Sequence, residues 1–328
     1  MSKVKVSIII PVYGVEKYIG KCLESLVNQT LKDIEIIVVN DGSLDNSQDI
    51  IDEYVKKYPN IVKSYIKENG GQGSARNYGI EKSTGEYIGY VDSDDYVEQD
   101  MYEKLYTKAK EEKSDVVICG NYLIDEDYQN RKIDFDYSDN LEDTLKSFFG
   151  KKAVWNKIYK REIIIENKIK FAEKKWYEDF AFTLKILVNS DKISFVDEPL
   201  YYYLIRQGST MNNSNVKRNL EILEAFEDIT TYLKKNKMYE KYYDKLEYLA
   251  IDHIYISTIV RIINADADKQ IKKETIKTIL EYLNDNFPVF KQNKYLKILP
   301  RNRKIVYRLL IFKQYNLIKL LFKIKNGA

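Results

Sequence analysis

The chain has 328 residues, 44% hydrophobic and 31% charged, with 13 Gly, 5 Pro and 2 Cys. That length implies two units or one domain with an appendage, and the composition excludes a disordered, fibrous or disulfide-built protein. Net charge is +3 but unevenly spread: residues 301–328 hold eight Lys or Arg and no acid, while the first 300 hold 45 bases against 50 acids.

Residues 1 to about 125 alternate between apolar runs and helical patterns. "KVSIIIPVY" reads as a buried strand, "YIGKCLESLVNQT" as a helix, and "IEIIVVND" as a second strand ending in Asp41. "DNSQDIIDEYVKKY" opens on a cap signal, "VKSYIKE" is a weaker third strand, and "SARNYGIEKS" is a short helix. "EYIGYV", "QDMYEKLYTKAKEEK" and "DVVICGNYLI" give a strand, a helix and a strand. Strands apolar on both faces and separated by helices predict an α/β fold with a mostly parallel sheet covered on both sides.

Further on, "NLEDTLKSFFG" looks helical, "WYEDFAFTLKILVNSD" reads as an amphipathic helix, and "ISFVDEPLYYYLIR" reads as a strand. From Val216 the pattern is almost wholly helical. A polar run, "GSTMNNSN", sets the expected boundary, giving a domain at 1–212 and a helical region at 213–328. Cys22 and Cys119 sit in apolar patterns and read as buried thiols of a reducing compartment. No signal peptide or membrane span is read, so a cytoplasmic protein is expected. His253, in an aromatic-rich helical run, reads as structural.

Open parallel sheets bind ligands at the carboxyl ends of their strands. The first strand is followed by Pro11, Val12 and Tyr13, without the G-x-G-x-x-G of a dinucleotide site. After the third comes "ENGGQGSARN". There a Gly-rich turn meets a helix start bearing Arg76, which suits an anion, although such turns also occur as plain structural loops. After the fourth come Asp92, Ser93, Asp94 and Asp95. Carboxylates at D-x-D spacing repel one another unless a cation is shared. All-oxygen donors suit Mg²⁺ or Mn²⁺ rather than zinc. The alternative is that Asp94 and Asp95 cap a turn.

Four motifs, "SIIIPVYGVEKYIGKCLESLVNQTLKDIEIIVVNDGSLDNS", "ENGGQGSARNYGI", "GEYIGYVDSDDY" and "WYEDF", occur in this order over residues 4–210. Together they resemble the inverting family 2 glycosyltransferases of the GT-A fold. The resemblance implies a nucleotide-sugar donor, most often a UDP-sugar. It implies that Pro11, Tyr13 and Glu16 surround the base and that Asp41 reads its imide. Asn69, Gln72 and Arg76 would lie near base and diphosphate. Asp92 would lie near ribose and metal, Ser93 beside it, and Asp94 on the metal; Asp95 would orient the sugar. Of the E-D pair, Asp179 is the implied general base and Glu178 its support, where helix capping is the plainer alternative. Arg206, with Ser209 and Thr210, would close over the diphosphate. Trp176 and Tyr177 would stack on an acceptor sugar, unless they are core.

The basic end mixes Leu, Ile and Phe with its positive charges. It reads as one amphipathic helix, or two short ones, on the anionic inner leaflet, where a glycan or lipid-linked acceptor of a surface polysaccharide would lie. A helix packed on the body with a solvated basic face is the alternative. No nucleic-acid motif accompanies the run, and the helical third is also a candidate oligomerisation surface. Among other classes, a haloacid-dehalogenase phosphatase would put its nucleophilic Asp where Pro11 stands, and a sugar nucleotidyltransferase would need an early Gly-rich basic loop. A degenerate, non-catalytic scaffold with this fold remains an alternative.

Overall fold

Seven consecutive buried residues form β1 (Val6–Val12), and β2 (Ile34–Asn40) is buried from Glu35 on. Runs this apolar fit only the middle of a sheet covered on both faces. The computed structural model describes residues 3–127, 131–135, 148, 150, 152–206 and 216–325. The chain divides into two compact units, Met1–Ser209 and Thr210–Ala328. The helix expected over 140–150 lies almost wholly outside the described residues, and the polar run at 208–215, with Ser209 and Thr210, lies outside them entirely.

In the first unit, β1 lies between β2 and β4 (Tyr87–Tyr90), and β3 (Val62–Ile66) flanks β2. All three pairings are parallel, with Val6 opposite both Ile34 and Tyr87. Helices α1 (Ile19–Val27), α2 (Ser47–Lys57) and α3 (Gln72–Lys82) connect these strands. Beyond β4 the sheet becomes mixed. Its order is β3-β2-β1-β4-β8-β6-β9-β5, with β7 on β6. Here β8 (Lys157–Lys160) runs antiparallel to β4 and to β6 (Val116–Asp125), whereas β9 (Ile193–Ile205) runs parallel to β6. The short β5 (Tyr96–Val97) and β7 (Arg131–Asp134) pair antiparallel with β9 and β6.

The β6–β9 register slips twice, around Gly120, where Pro199 stands opposite. Proline cannot donate to the ladder, so a bulge is where a long strand tolerates it. Past the bulge, Tyr201 and Tyr203 stack with Trp155 on one face, while Tyr202 stacks between Tyr96 and Tyr122 on the other.

Helix α4 (Met101–Glu112) follows β5, and α5 (Arg161–Glu166) follows β8 directly. The segment read as an amphipathic helix is α6 (Glu178–Val188), and that reading is corrected: Phe180 through Val188 are all buried, Lys185 included. A helix buried on every side belongs inside the core, and the buried position holds its first turn in place. Cys22 and Cys119 are both buried, as thiols rather than as a disulfide.

The second unit is helical. A 3₁₀ turn (Val216–Leu220) leads into α7 (Glu221–Lys235) and α8 (Tyr239–Leu249). A π-helical stretch (Ala250–Thr258) then continues into α9 (Ile259–Asn264). Helix α10 (Lys269–Asn286) starts at Asp268, whose carboxylate accepts from the Gln270 and Ile271 amides, an ordinary N-cap. The basic end is two short helices, α11 (Arg301–Ile311) and α12 (Tyr315–Lys325). No helix among the described residues is long and apolar enough to cross a membrane.

Candidate active site

The turns after β1 and β2 are clasped together. The Asn46 amide and side chain both donate to Glu16 Oε2 at 3.0 Å, and the Glu16 amide donates to Asp45 Oδ2 at 2.9 Å. Pro11 is buried within β1, and Tyr13, at the start of the turn that follows, is 55% exposed. Asp41 is buried. Its carboxylate accepts from Lys67 Nζ at 2.8 Å and from the Gly70 and Gly71 amides at 2.9 and 2.7 Å, so it anchors the Gly-rich turn. Asn69 lies exposed on that turn.

The turn needs its glycines. Gly71 has φ +85°, and a Cβ on Gly73 would sit 2.2 Å from the Ala172 carbonyl oxygen. This close approach lays the start of α3 against residues 171–174, just before the E-D pair.

Helix α3 aims Gln72 and Arg76 at the end of β4. Gln72 Nε2 donates to Asp92 Oδ1 at 2.9 Å, and Arg76 Nη2 donates to the same oxygen at 2.7 Å. Arg76 Nη1 donates to Glu178 Oε1 at 2.8 Å, and the guanidinium rests over the Phe171 ring at 5.3 Å. Its Nε is buried without a partner. Arg76 therefore ties the D-x-D loop to the first turn of α6. Burial disfavours its charge, but Asp92, Glu178 and Asp179 outweigh that and raise its pKa.

The approach to α6 is strained: Lys174 and Tyr177 both adopt left-handed backbone, at φ +55° and +63°. Such non-glycine conformations cost about 1–3 kcal/mol each and cluster at functional sites. Glu178 and Asp179 follow in the first turn, where the helix dipole favours negative charge. Even so, burial and the Glu178 charge push the Asp179 carboxyl up to about 7, with Arg76 partly opposing. Burial also raises Glu178 and Asp92, again with Arg76 opposing. Trp176 and Tyr177 are partly buried beside the pair.

The remaining aspartates divide. Asp94 Oδ2 accepts from Arg206 Nε at 2.6 Å, both side chains being about a quarter exposed, and Arg206 lies over the Tyr18 ring at 5.3 Å. Asp95 is buried, with both oxygens engaged: Oδ2 accepts from the Tyr201 hydroxyl at 2.6 Å and Oδ1 from the Leu204 amide at 2.8 Å. Tyr201 in turn accepts from the Asp92 amide at 3.1 Å. Asp95 thus pins β9 beneath the loop, and Ser93 is buried between the two outward carboxylates.

The predicted residues Gln72, Arg76, Asp92, Glu178 and Asp179 therefore converge. Asp94 and Arg206 pair beside them, while Glu16 and Asp41 organise the loops behind. Sequence reasoning missed Lys67, Phe171 and Tyr201. For Tyr201 the signal lay in the "YYY" of β9, where alternation sends its first and third rings to one face. Asp92 and Asp94 are the oxygen donors suited to a hard cation, and no cluster of three ligating side chains exists among the described residues. An all-oxygen site with two carboxylates leaves its other positions to water or phosphate, as Mg²⁺ and Mn²⁺ accept.

The geometry has relatives. A TarS fragment (residues 1–349) from S. aureus, solved in complex with UDP-GlcNAc, matches with a TM-score of 0.59 at 23% identity, covering 93% of this chain and 79% of that one. This likeness is one of fold. EpsH of Bacillus subtilis (strain 168) is 36% identical over 259 residues, 76% of this chain and 74% of EpsH. The poly(ribitol-phosphate) beta-glucosyltransferase of Bacillus spizizenii is 37% identical over 248 residues, 72% of this chain but 38% of that longer protein. The family description "Glycosyl transferase family 2" matches residues 7–178, from β1 to the first residue of α6. On that match and those identities, the chain belongs to glycosyltransferase family 2.

Proposed function

We propose that the chain transfers a sugar from a nucleotide-sugar donor, a UDP-sugar, to a hydroxyl of a glycan or lipid-linked acceptor in cell-surface polysaccharide synthesis, inverting the anomeric carbon. The carrying observation is the Arg76 bridge from Asp92 to Glu178, which brings a raised carboxyl, Asp179, beside a buried guanidinium at the carboxyl end of β4.

Asp179 takes the acceptor hydroxyl proton as general base. The acceptor oxygen bonds to the anomeric carbon, and the bond to the diphosphate oxygen breaks, its electron pair leaving with the nucleotide. One displacement needs no enzyme nucleophile. Arg76 offsets the charge of the departing diphosphate, and its unpartnered Nε is a donor in reserve. Pro11, Tyr13 and Glu16 border the base, with Asp41 and Asn69 on its other side. Asp92 and Ser93 lie toward the ribose, and Arg206 closes on the phosphates. Asp95 shapes the sugar pocket through β9, and Trp176 and Tyr177 receive the acceptor.

Asp94, with Asp92, would hold Mn²⁺ or Mg²⁺. Their hard oxygens fit, and the Arg206 guanidinium already marks a cation position at Asp94. Bound there, the ion would supply Lewis-acid neutralisation of the diphosphate. The UDP-GlcNAc bound by TarS and the poly(ribitol-phosphate) acceptor in the name of the Bacillus spizizenii relative support the choice of donor and the class of acceptor. This reading places the protein in the cytoplasm, peripheral on the inner face of the cell membrane.

The test is a thermal-shift panel with UDP, GDP, CMP and NAD, each with Mn²⁺ and again with chelator. Ligand at 100 times its dissociation constant adds about 2.7 kcal/mol to the folded state. Stabilisation by UDP with Mn²⁺, lost in Asp94→Ala, is the expected result. GDP or CMP acting instead would change the donor, and no nucleotide effect on folded protein would favour a non-catalytic scaffold.

A further inference from the structure

Helices α11 and α12 are fixed to the second unit by one side only. Arg303 Nη1 donates to Asp252 Oδ1 at 2.6 Å and to Ser257 Oγ at 2.9 Å, both in the π-helical stretch. Tyr307 packs edge-on against Tyr255, and Leu310 and Ile318 are buried. These contacts account for the inner face of the pair.

They do not account for the outer one. On α12, Leu317, Leu320, Leu321 and Ile324 are 44, 52, 40 and 66% exposed. Their spacing of i, i+3, i+4, i+7 puts them in one stripe along the helix. Phe312, in the turn joining the two helices, is 71% exposed. Isolated exposed apolar residues are ordinary, but a continuous stripe of large ones marks a contact surface. Lys319 and Lys323, both exposed, lie on one flank of the helix, between the stripe and the packed side.

We propose that this face docks on an anionic bilayer, with α12 lying flat in the headgroup region. Length argues for lying rather than spanning: eleven residues reach about 16 Å, roughly half the hydrocarbon thickness. Charge argues for the partner. Residues 301–328 carry eight Lys or Arg and no acid, so the apolar stripe enters the acyl boundary while basic side chains reach the phosphates. A second copy is disfavoured because two-fold pairing would set like charges against one another, with no acid in residues 301–328 to relieve them.

The inference is independent of the donor reading, and its test contains no nucleotide. The full chain is sedimented with vesicles of phosphatidylcholine alone, or mixed with phosphatidylglycerol, at low and raised salt. Binding to the anionic vesicles alone, weakened by salt, is expected. Leu320→Glu/Ile324→Glu should abolish it without lowering the melting temperature, since both side chains are exposed. Lys319→Gln/Lys323→Gln should weaken it about tenfold. Equal binding to neutral vesicles, or full binding by the Leu320/Ile324 variant, would overturn the proposal. So would absence of binding, whether or not ultracentrifugation showed an oligomer that the same variant dissociates; such an oligomer would make the face a protein interface instead.

Discussion

Two carboxylate clusters sit in the first unit, one buried around Glu35 and one half-buried around Asp179, at opposite ends of the parallel strands, and they are built to opposite ends chemically. At the start of β2, Glu35 accepts from Ser7 Oγ, the Thr84 amide and the Thr84 hydroxyl at 2.7, 2.7 and 2.9 Å, and from Lys63 Nζ at 2.6 Å. Burial would raise its pKa, but those donors win and hold it below the usual range. At the other end, Asp179 has burial and the Glu178 charge against it, and its carboxyl stands at about 7. A buried carboxylate with a full set of donors holds strands together. One left short of donors beside a like charge is unstable in its charged form, and that makes it a proton acceptor near neutral pH.

The largest expected effect lies at the poised end. Asp179→Asn should lower kcat by about 10²–10⁴-fold in a sugar-transfer assay while leaving nucleotide binding intact. The same variant carries a second, opposite sign. A carboxyl whose folded pKa is raised favours the fold at low pH and loses that contribution as pH rises through about 7. Replacing it removes the loss, so at pH 8 the Asn variant should melt no lower than wild type. A variant that keeps full turnover, or that melts well below wild type at pH 8, would move the base elsewhere.

Glu35→Gln tests the satisfied end and should do the reverse. It leaves kcat per folded molecule unchanged but costs about 2 kcal/mol, a figure kept modest because Lys63 is 42% exposed and partly screened. For a unit of this size that is about 4–8 °C in melting temperature. The sign with pH is also reversed. The depressed pKa contributes stability above the ordinary Glu value, lost as pH falls through the folded one, so wild type and variant should converge in acid.

How far each cluster could be read from sequence follows from the kind of interaction involved. The buried strands β1, β2 and β4 were legible because burial on both faces forces unbroken apolar runs. Asp92, Asp94, Glu178 and Asp179 were legible because their motifs are local in the chain. Contacts that join distant segments left little trace. The Arg76–Glu178 bridge spans 102 residues, and Tyr201 reaches Asp95 across 106. Asp41 stood out as a strand-end acid, but its tie to Lys67 and two glycine amides depends on how the Gly-rich turn folds back. Helix α6 misled through its charged first turn, which suggested an outer face that Phe180–Val188 do not have. The π-helical stretch likewise reads as ordinary helix, because its wider hydrogen bonding changes no residue type.

The smallest expected effect separates the two members of the E-D pair. Glu178 raises Asp179 through its charge, and it also holds one arm of Arg76. Glu178→Gln removes that negative charge and frees Arg76 to act more fully on its neighbours. Both changes favour ionised Asp179, so the acid limb of the kcat/KM profile should move below its wild-type position near pH 7. The shift should be at most about one pH unit, or about 1.4 kcal/mol. The free-enzyme profile is the right readout, because kcat/KM reports groups before donor binding. If Glu178 were itself the base, the same variant would lose turnover at every pH, and no shift could be measured. An acid limb moved upward would mean that the orientation of Arg76, rather than the charge of Glu178, sets the Asp179 carboxyl.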